Sequence, residues 1–261
     1  MSGNNDKHQS VNRPSIFYWG TEIGRALVEI GMSIPFRTFY KNEKKGDGHP
    51  ILVLPGFMAG DRSTSGLRGF IKDLDYEPIT WDLGRNYAKV EYIEKLIEKI
   101  ENVYHSHDEK ISLIGWSLGG VFARQLAKER PQMIRQVITL GSPFQGVNES
   151  NNAAWLYDFL VKRDKIKKAA PELFADLPNP APVPTTCIYT KEDGIVPWQF
   201  CIEKEENFFH QNVQVRGSHL GLGVNPSVLK IIANRLLLEE ESWEPFVPDS
   251  YFDDWVFYPS L

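Results

Sequence analysis

Ser117 stands in the run Gly115-Trp116-Ser117-Leu118-Gly119, directly after an apolar stretch at 111–114 and before a helical pattern. A chain that reverses from strand to helix in so few residues needs glycines where a Cβ atom would clash. The serine hydroxyl is then lifted clear of the sheet at a helix N-terminus, where negative charge is stabilised. The run therefore predicts a nucleophile for acyl transfer at Ser117.

A serine hydroxyl needs a base to take its proton, and histidine has a suitable pKa. In a parallel α/β sheet the site lies at the carboxyl ends of the strands. Only His219, in Gly217-Ser218-His219-Leu220-Gly221, follows a predicted strand. The other histidines lie in the polar N-terminal tail or before strands: His8, His49, His105, His107 and His210. We predict that His219 is the general base.

The third member of such a site is a carboxylate that orients the imidazole. Asp193 follows the predicted strand at 186–189 and lies between the serine and the histidine in the chain, the order typical of this arrangement. Gly194 would permit a tight turn that points the carboxylate inward. Glu192, Glu149 and Asp82 are the rivals, because each lies near the carboxyl end of a strand.

A tetrahedral intermediate needs backbone N–H donors for its oxyanion. The N–H of Leu118, directly after the nucleophile, is one predicted donor. The other is Phe57, in the loop Leu54-Pro55-Gly56-Phe57-Met58, with Met58 as the next candidate. The predicted pocket walls are apolar side chains near these positions: Met58, Trp116, Phe144 and Trp198, and more loosely Trp155, Leu156 and Phe159. This chemistry needs no cofactor and no metal, and the pair His105 and His107 lacks a clear third ligand.

Strands and helices must alternate to hold these residues at one edge. Short apolar runs predict strands at 51–54, 77–81, 111–114, 136–140, 186–189 and 213–215. Helical spacing predicts helices at 88–104, 121–128 and 226–238 between or after them. The alternation indicates one α/β domain over 1–261, with a mostly parallel central sheet flanked by helices on both faces.

Three segments lie outside this alternation. Residues 15–34 predict a helix that ends at Pro35 and packs on the domain or across its mouth; contact with a membrane surface or a partner is the alternative. Residues 145–183, with helical patterns at 153–166 and 171–177, predict a small cap inserted over the site. The aromatic stretch 241–261 is expected to wrap against the body or to meet a partner subunit, because an exposed patch of that size is a liability.

Composition narrows the classes of function. The 261 residues carry a formal net charge of −5, which argues against nucleic acid as a partner. Residues 1–14 are polar and expected to be disordered, with no signal peptide. No apolar run is long enough to span a membrane. With only Cys187 and Cys201, no disulfide framework is expected, and a cytoplasmic protein is predicted.

Taken together, the motifs resemble the α/β-hydrolase superfamily, specifically its bacterial lipase/esterase-like branch. The resemblance spans about residues 50–225 and is carried by Pro55-Gly56-Phe57, by the serine run, and by Leu140-Gly141-Ser142-Pro143-Phe144, Asp193-Gly194-Ile195-Val196-Pro197 and the glycine-rich run from Gly217 to Gly223. It implies serine hydrolase activity on carboxylic esters. Lipase-like relatives often carry a histidine where this chain has Phe144, so the resemblance by itself does not imply triglyceride lipase activity.

Two other functions fit the same residues. An acyltransferase would use the same three side chains but pass the acyl group to an alcohol or amine. A binding protein with this fold would usually have lost one member of the triad, and all three are present here.

Overall fold

The computed structural model describes residues 14–40, 45–145, 176–240, 242–248 and 258–259. Within them, six strands form one parallel sheet in the order β2-β1-β3-β4-β5-β6. The strands are β1 (Pro50–Leu54), β2 (Glu77–Ile79), β3 (Ile111–Trp116), β4 (Ile134–Leu140), β5 (Thr185–Tyr189) and β6 (His210–Gln214). The predicted α/β class with a parallel central sheet is confirmed.

Helices cover both faces of this sheet. They are α1 (Ile16–Tyr40), α2 (Ser65–Asp73), α3 (Glu91–His107), α4 (Leu118–Glu129) and α5 (Pro226–Leu236). Alternate residues of a strand point to opposite faces. Leu52 and Leu54 of β1 accordingly join a core with α3 and α4, whereas Ile51 and Val53 join a second core with α2 and α5. The sheet is therefore buried on both sides, as its continuous apolar strands predict.

Several predicted features lie outside the described residues. They are residues 1–13 of the polar tail, residues 146–175 of the predicted cap, and residues 249–257 of the aromatic stretch. Glu149, Trp155, Leu156 and Phe159 belong to this group.

Helix α1 differs from the prediction in its length. It continues through Pro35 to Tyr40 instead of ending at Ile34. A proline inside a helix removes one hydrogen bond and crowds the preceding turn. Here the turn after Pro35 is held by packing, because the rings of Phe36 and Tyr40 both lie against Phe70 of α2.

The orientation of α1 also differs from the usual amphipathic pattern. Its acidic side chains Glu22 and Glu29 are buried, at 3% and 4% exposure, while the apolar face points outward. The exposed members of that face are Ile16, Phe17, Trp19, Ile23, Leu27, Val28, Ile30, Met32 and Ile34. The helix does pack on the domain, but before Pro35 its polar side makes most of the contact. The physical reason for this orientation is that the two glutamate carboxylates accept hydrogen bonds from a set of backbone N–H groups.

Three described aromatic residues of the C-terminal stretch are buried against the body, namely Trp243, Phe246 and Tyr258. Phe246 exchanges hydrogen bonds with the side chain of Gln211 at 2.6 and 2.9 Å, and Tyr258 donates to the carbonyl of Ser227 at 3.3 Å. For these residues the predicted wrapping is confirmed. None of the helices in the described part of the chain combines the length and apolar composition that a membrane span requires.

Candidate active site

Ser117 occupies a strained turn between β3 and α4. Its backbone has φ 53° and ψ −123°, in the positive-φ region that a residue with a side chain rarely adopts. The flanking glycines are required by packing: a Cβ atom on Gly119 would overlap the carbonyl oxygen of Leu54, and one on Gly115 would overlap Gly120. The turn is fixed from below by the N–H of Ser117, which donates to the carbonyl of Leu140 at 2.8 Å.

Asp193 and His219 meet at the carboxyl edge of the sheet, where β5 and β6 end. Nδ1 of His219 lies 2.6 Å from Oδ2 of Asp193, and both side chains are buried. The other carboxylate oxygen accepts the N–H groups of Ile195 and Val196 at 2.7 and 2.6 Å. Oδ2 of Asp193 accepts a hydrogen bond from Nδ1–H of the imidazole. Nε2 of the imidazole then carries no proton and is itself able to accept one.

The electrostatic surroundings of His219 favour its protonated form. Burial alone lowers the pKa of the imidazole, but the carboxylate of Asp193, with a smaller effect from Glu22, outweighs burial and raises the pKa above its ordinary value. A base with a raised pKa binds a proton more strongly. The same two negative charges would stabilise an imidazolium formed during a reaction.

Contacts on both sides bring the loop of His219 to the serine turn. The indole nitrogen of Trp116 donates to the carbonyl oxygen of His219 at 3.0 Å. On the other side, a Cβ atom on Gly141 would lie only 3.1 Å from Nδ1 of His219, so the residue after Leu140 lies against the imidazole. Within the described part of the chain the Ser117 hydroxyl makes no hydrogen bond, so its contact with His219 is not formed in this structure. In free enzymes such contacts often tighten only when a substrate binds.

The loop after β1 lies against the serine. A Cβ atom on Gly56 would be 3.3 Å from Cβ of Ser117, so only a bare backbone leaves room there. Met58, the second candidate for an oxyanion donor, already donates its N–H to the carbonyl of Asn86 at 2.8 Å. Phe57 stays the prediction for the donor from this loop. The N–H of Leu118 begins α4 and has no acceptor inside that helix.

The predicted pocket residues occupy different environments. Met58 is 46% exposed, and Trp198 stacks on Tyr189 with ring centroids 5.6 Å apart. Trp116 is partly buried and bound to the His219 loop, as described above. Phe144, in contrast, has no exposed surface, because the guanidinium group of Arg124 covers its ring at 3.7 Å. The structure thus places Phe144 in the core.

The rivals for the acid have other partners. Asp82 is 58% exposed and pairs with Lys99 at 2.5 Å. Glu192 accepts a hydrogen bond from the N–H of Gly217 at 3.2 Å and faces Arg216.

His107, at the end of α3, is bound to Glu77 at 2.9 Å, and the described residues contain no cluster of three side chains able to hold a metal ion.

A second Ser-His-Asp array lies at the opposite, amino edge of the sheet. Nε2 of His49 is 2.8 Å from Oγ of Ser112, and Nδ1 is 2.5 Å from Asp47. Ser112 is fully buried in β3 and His49 is 1% exposed, so no substrate reaches this hydroxyl. The backbone of β3 also lacks the strained turn that presents Ser117. Hydrogen bonds alone therefore do not distinguish the two serines; access and backbone geometry do.

Three residues that shape the site were not predicted from the sequence. Asn86 is fully buried and holds the loop after β1, with its side chain donating to the carbonyl of Pro55 at 2.9 Å and its backbone bonded to Met58 and Ala59. Glu22 and Arg25 of α1 bind the loops that carry Asp193 and His219. No short motif surrounds these residues, and their partners are distant in sequence.

Comparison with known proteins supports the same architecture. A family model described as a PGAP1-like alpha/beta domain matches residues 58–167, a stretch that includes Ser117 but ends before Asp193 and His219. A search of curated proteins found no match in sequence.

Solved structures with a similar fold include three that this chain covers almost completely. A lipase-esterase related protein from Clostridium acetobutylicum is 17% identical, with a TM-score of 0.53 over 74% of this chain and 96% of that one. A monoacylglycerol lipase from Paleococcus ferrophilus is 12% identical, with a TM-score of 0.54 over 73% and 96%. An alpha/beta superfamily hydrolase from Oenococcus oeni is 17% identical, with a TM-score of 0.55 over 73% and 94%.

Identities this low establish a shared fold rather than a shared substrate. The parallel sheet, the strained serine turn between β3 and α4, and these structural neighbours agree, and the chain has the fold of the α/β hydrolases.

Proposed function

We propose that this chain is a serine hydrolase that cleaves carboxylic esters through an acyl-enzyme on Ser117. The observation that carries the proposal is the 2.6 Å hydrogen bond between His219 and Asp193 at the same sheet edge as the strained Ser117. The names of two structural neighbours, a lipase-esterase related protein and a monoacylglycerol lipase, favour an ester as the substrate.

In the proposed cycle, Nε2 of His219 takes the proton of Ser117 as its oxygen attacks the ester carbonyl. The N–H groups of Phe57 and Leu118 hold the oxyanion. His219, now positively charged beside Asp193, protonates the leaving alcohol. Water then releases the acid from Ser117 by the reverse path.

The charge of the site suits this sequence of steps. The imidazolium forms where two carboxylates already raise the pKa of His219, so its formation is stabilised without a rearrangement. The oxyanion forms at the first turn of α4, where the N–H groups and the helix dipole favour negative charge.

The sequence leaves open a peripheral contact with a membrane surface or a partner. Such a contact would occur at the outward apolar face of α1. A lipid-like ester would reach the protein from such a surface. This contact is a separate expectation from the chemistry at Ser117.

A fluorophosphonate probe, which modifies activated serines, tests the proposal directly. We expect the purified protein to be labelled, Ser117→Ala to abolish labelling, and Ser112→Ala to retain it. Ser112 is the matched control because it also lies in a Ser-His-Asp array. Labelling that survives in Ser117→Ala, or fails in the wild type, would discard the proposal.

A panel of p-nitrophenyl esters of increasing chain length then defines the acyl group. Product analysis in a mixture of water and an alcohol separates hydrolysis from acyl transfer, because a transferase forms the new ester in preference to the free acid.

A further inference from the structure

Helix α1 contacts the domain through charged side chains that lie beside the proposed catalytic residues. We name residues 190–197, which contain Asp193, the acid loop, and residues 215–221, which contain His219, the base loop. Glu22 is buried and accepts hydrogen bonds from both loops with one carboxylate group. A buried carboxylate that replaces water with three protein N–H donors is strongly held in place.

The contacts of Glu22 connect the two loops at His219 itself and at the neighbour of Asp193. Oε1 accepts the N–H of Gly194, the neighbour of Asp193, at 2.8 Å, and the N–H of His219 itself at 3.2 Å. Oε2 accepts the N–H of Leu220 at 3.0 Å. The backbone on both sides of the imidazole is thus fixed by the same group that fixes the acid loop.

Arg25, one turn further along α1, makes the complementary connection. Its guanidinium donates to the carbonyl of Glu192 in the acid loop and to the carbonyl of Gly217 in the base loop, each at 3.0 Å. It also pairs with Glu22 at 3.0 Å. The two side chains together form a neutral pair that binds both donors and acceptors of the loops.

The composition of the loops fits this contact. A Cβ atom on Gly194 would lie 2.5 Å from the backbone nitrogen of Trp19, so α1 approaches the acid loop as closely as a glycine permits. A Cβ atom on Gly217 would lie 2.7 Å from Glu29, which also binds Ser218. These glycines accommodate α1, a role beyond the turn flexibility that the sequence predicts.

We propose that Glu22 is a positioning residue for the base His219, because its carboxylate ties the base loop to the acid loop through the N–H groups of His219, Leu220 and Gly194. This inference rests on the proposed function and extends the site to α1. It assigns Glu22 two effects: it fixes the direction of the imidazole, and it adds a second negative charge beside it.

The test is Glu22→Gln, which keeps the shape but removes the charge and turns one acceptor oxygen into an NH₂ group that faces N–H donors. We expect kcat to fall at least about tenfold with little change in KM, because small displacements of a reacting group cost rate rather than binding. Asp73→Asn is the matched control: it removes the charge from the 2.6 Å ion pair between Asp73 of α2 and Arg37 of the same helix α1 without touching either loop, and we expect normal activity.

A titration of the His219 imidazole by NMR reads the charge effect without requiring activity. The charged groups that act on the imidazole are Asp193 and Glu22. Four further charged side chains belong to the two loops or contact them: Arg25, Glu29, Glu192 and Arg216. We expect Glu22→Gln to lower the pKa of His219, and Glu22→Asp, which keeps the charge, to restore the pKa most of the way. Unchanged kcat and an unchanged His219 titration in a folded Glu22→Gln protein would overturn the inference.

Hydrogen exchange in the unmodified protein covers the case in which the variants fail to fold. The amides of Gly194 and Leu220 should exchange as slowly as those of α1; exchange as fast as in exposed loops would also overturn the inference. Failure of the proposed function is a separate result, because it appears as absent probe labelling of the wild type.

Discussion

The indole N–H of Trp116 donates to the carbonyl oxygen of His219 at 3.0 Å, so the residue before the proposed nucleophile holds the residue proposed as its base. The two lie 103 positions apart in the chain. One hydrogen bond therefore couples the turn after β3 to the loop after β6 and sets their separation.

Replacing Trp116 with phenylalanine tests this coupling. The change keeps an aromatic ring but removes the N–H donor together with the pyrrole part of the indole. A neutral hydrogen bond contributes about 1 kcal/mol, which corresponds to roughly a fivefold change. We expect kcat/KM for a p-nitrophenyl ester to fall by about that factor. Trp243→Phe is the control, because its indole nitrogen has no hydrogen-bond partner among the described residues. Equal losses in both variants would contradict the assigned role.

Asn86→Ala should loosen the loop that carries the predicted oxyanion donor Phe57. The change removes the amide that donates to Pro55 at 2.9 Å and leaves a buried carbonyl without its donor. We expect kcat to fall about tenfold while KM changes little, because an oxyanion donor acts mainly in the transition state. Steady-state kinetics measures this. Asn212→Ala, which removes similar bonds to the backbone of Glu203, should leave kcat unchanged; a loss of similar size there would argue against Asn86.

The pH dependence of kcat/KM should report the raised pKa of His219. Burial lowers this pKa, but Asp193 and Glu22 raise it more. The imidazole acts as a base only when neutral, so activity rises as the pH increases through this pKa. We expect the acidic limb for a neutral ester to have its midpoint above about 6.5, the value of a free histidine side chain. A midpoint at or below that value would show that the two carboxylates do not dominate.

His49→Gln should affect stability but not catalysis. His49 bridges Asp47 and Ser112 inside the sheet's amino edge, and its loss leaves a buried serine hydroxyl without this partner. Such a change costs about 1–3 kcal/mol of unfolding free energy, measurable by urea denaturation. The rate of fluorophosphonate labelling should stay as in the wild type. A large loss of labelling in a folded His49→Gln protein would assign the second array a role in the chemistry.

The sequence alone predicts the six strands of the sheet and the edge at which the proposed site lies. Apolar runs separated by helical spacing define the strands, and the position of a residue after its strand separates His219 from His49 and His210. These are local signals, because strand periodicity and strand ends depend on neighbouring residues. The same signals place Asp193 after β5 and Ser117 after β3.

The contacts of α1 could not be predicted in the same way. An apolar stripe at helical spacing normally predicts the buried face, and here that stripe is exposed while Glu22 and Glu29 are buried. The reason lies in loops almost 200 residues later, whose N–H groups need acceptors. Asn86 is a similar case, since its partners become neighbours only once the loop after β1 has folded.

The inward polar face of α1 affects how the protein loses activity on heating. The first two-thirds of this helix are held mainly by hydrogen bonds and ion pairs rather than by buried apolar surface, and segments of that kind open at a lower free-energy cost than a packed core. The bonds that would be lost on opening are the ones that align His219 with the acid loop. Gentle heating should therefore inactivate the protein while its sheet is still intact, and cooling should restore activity without refolding of the core.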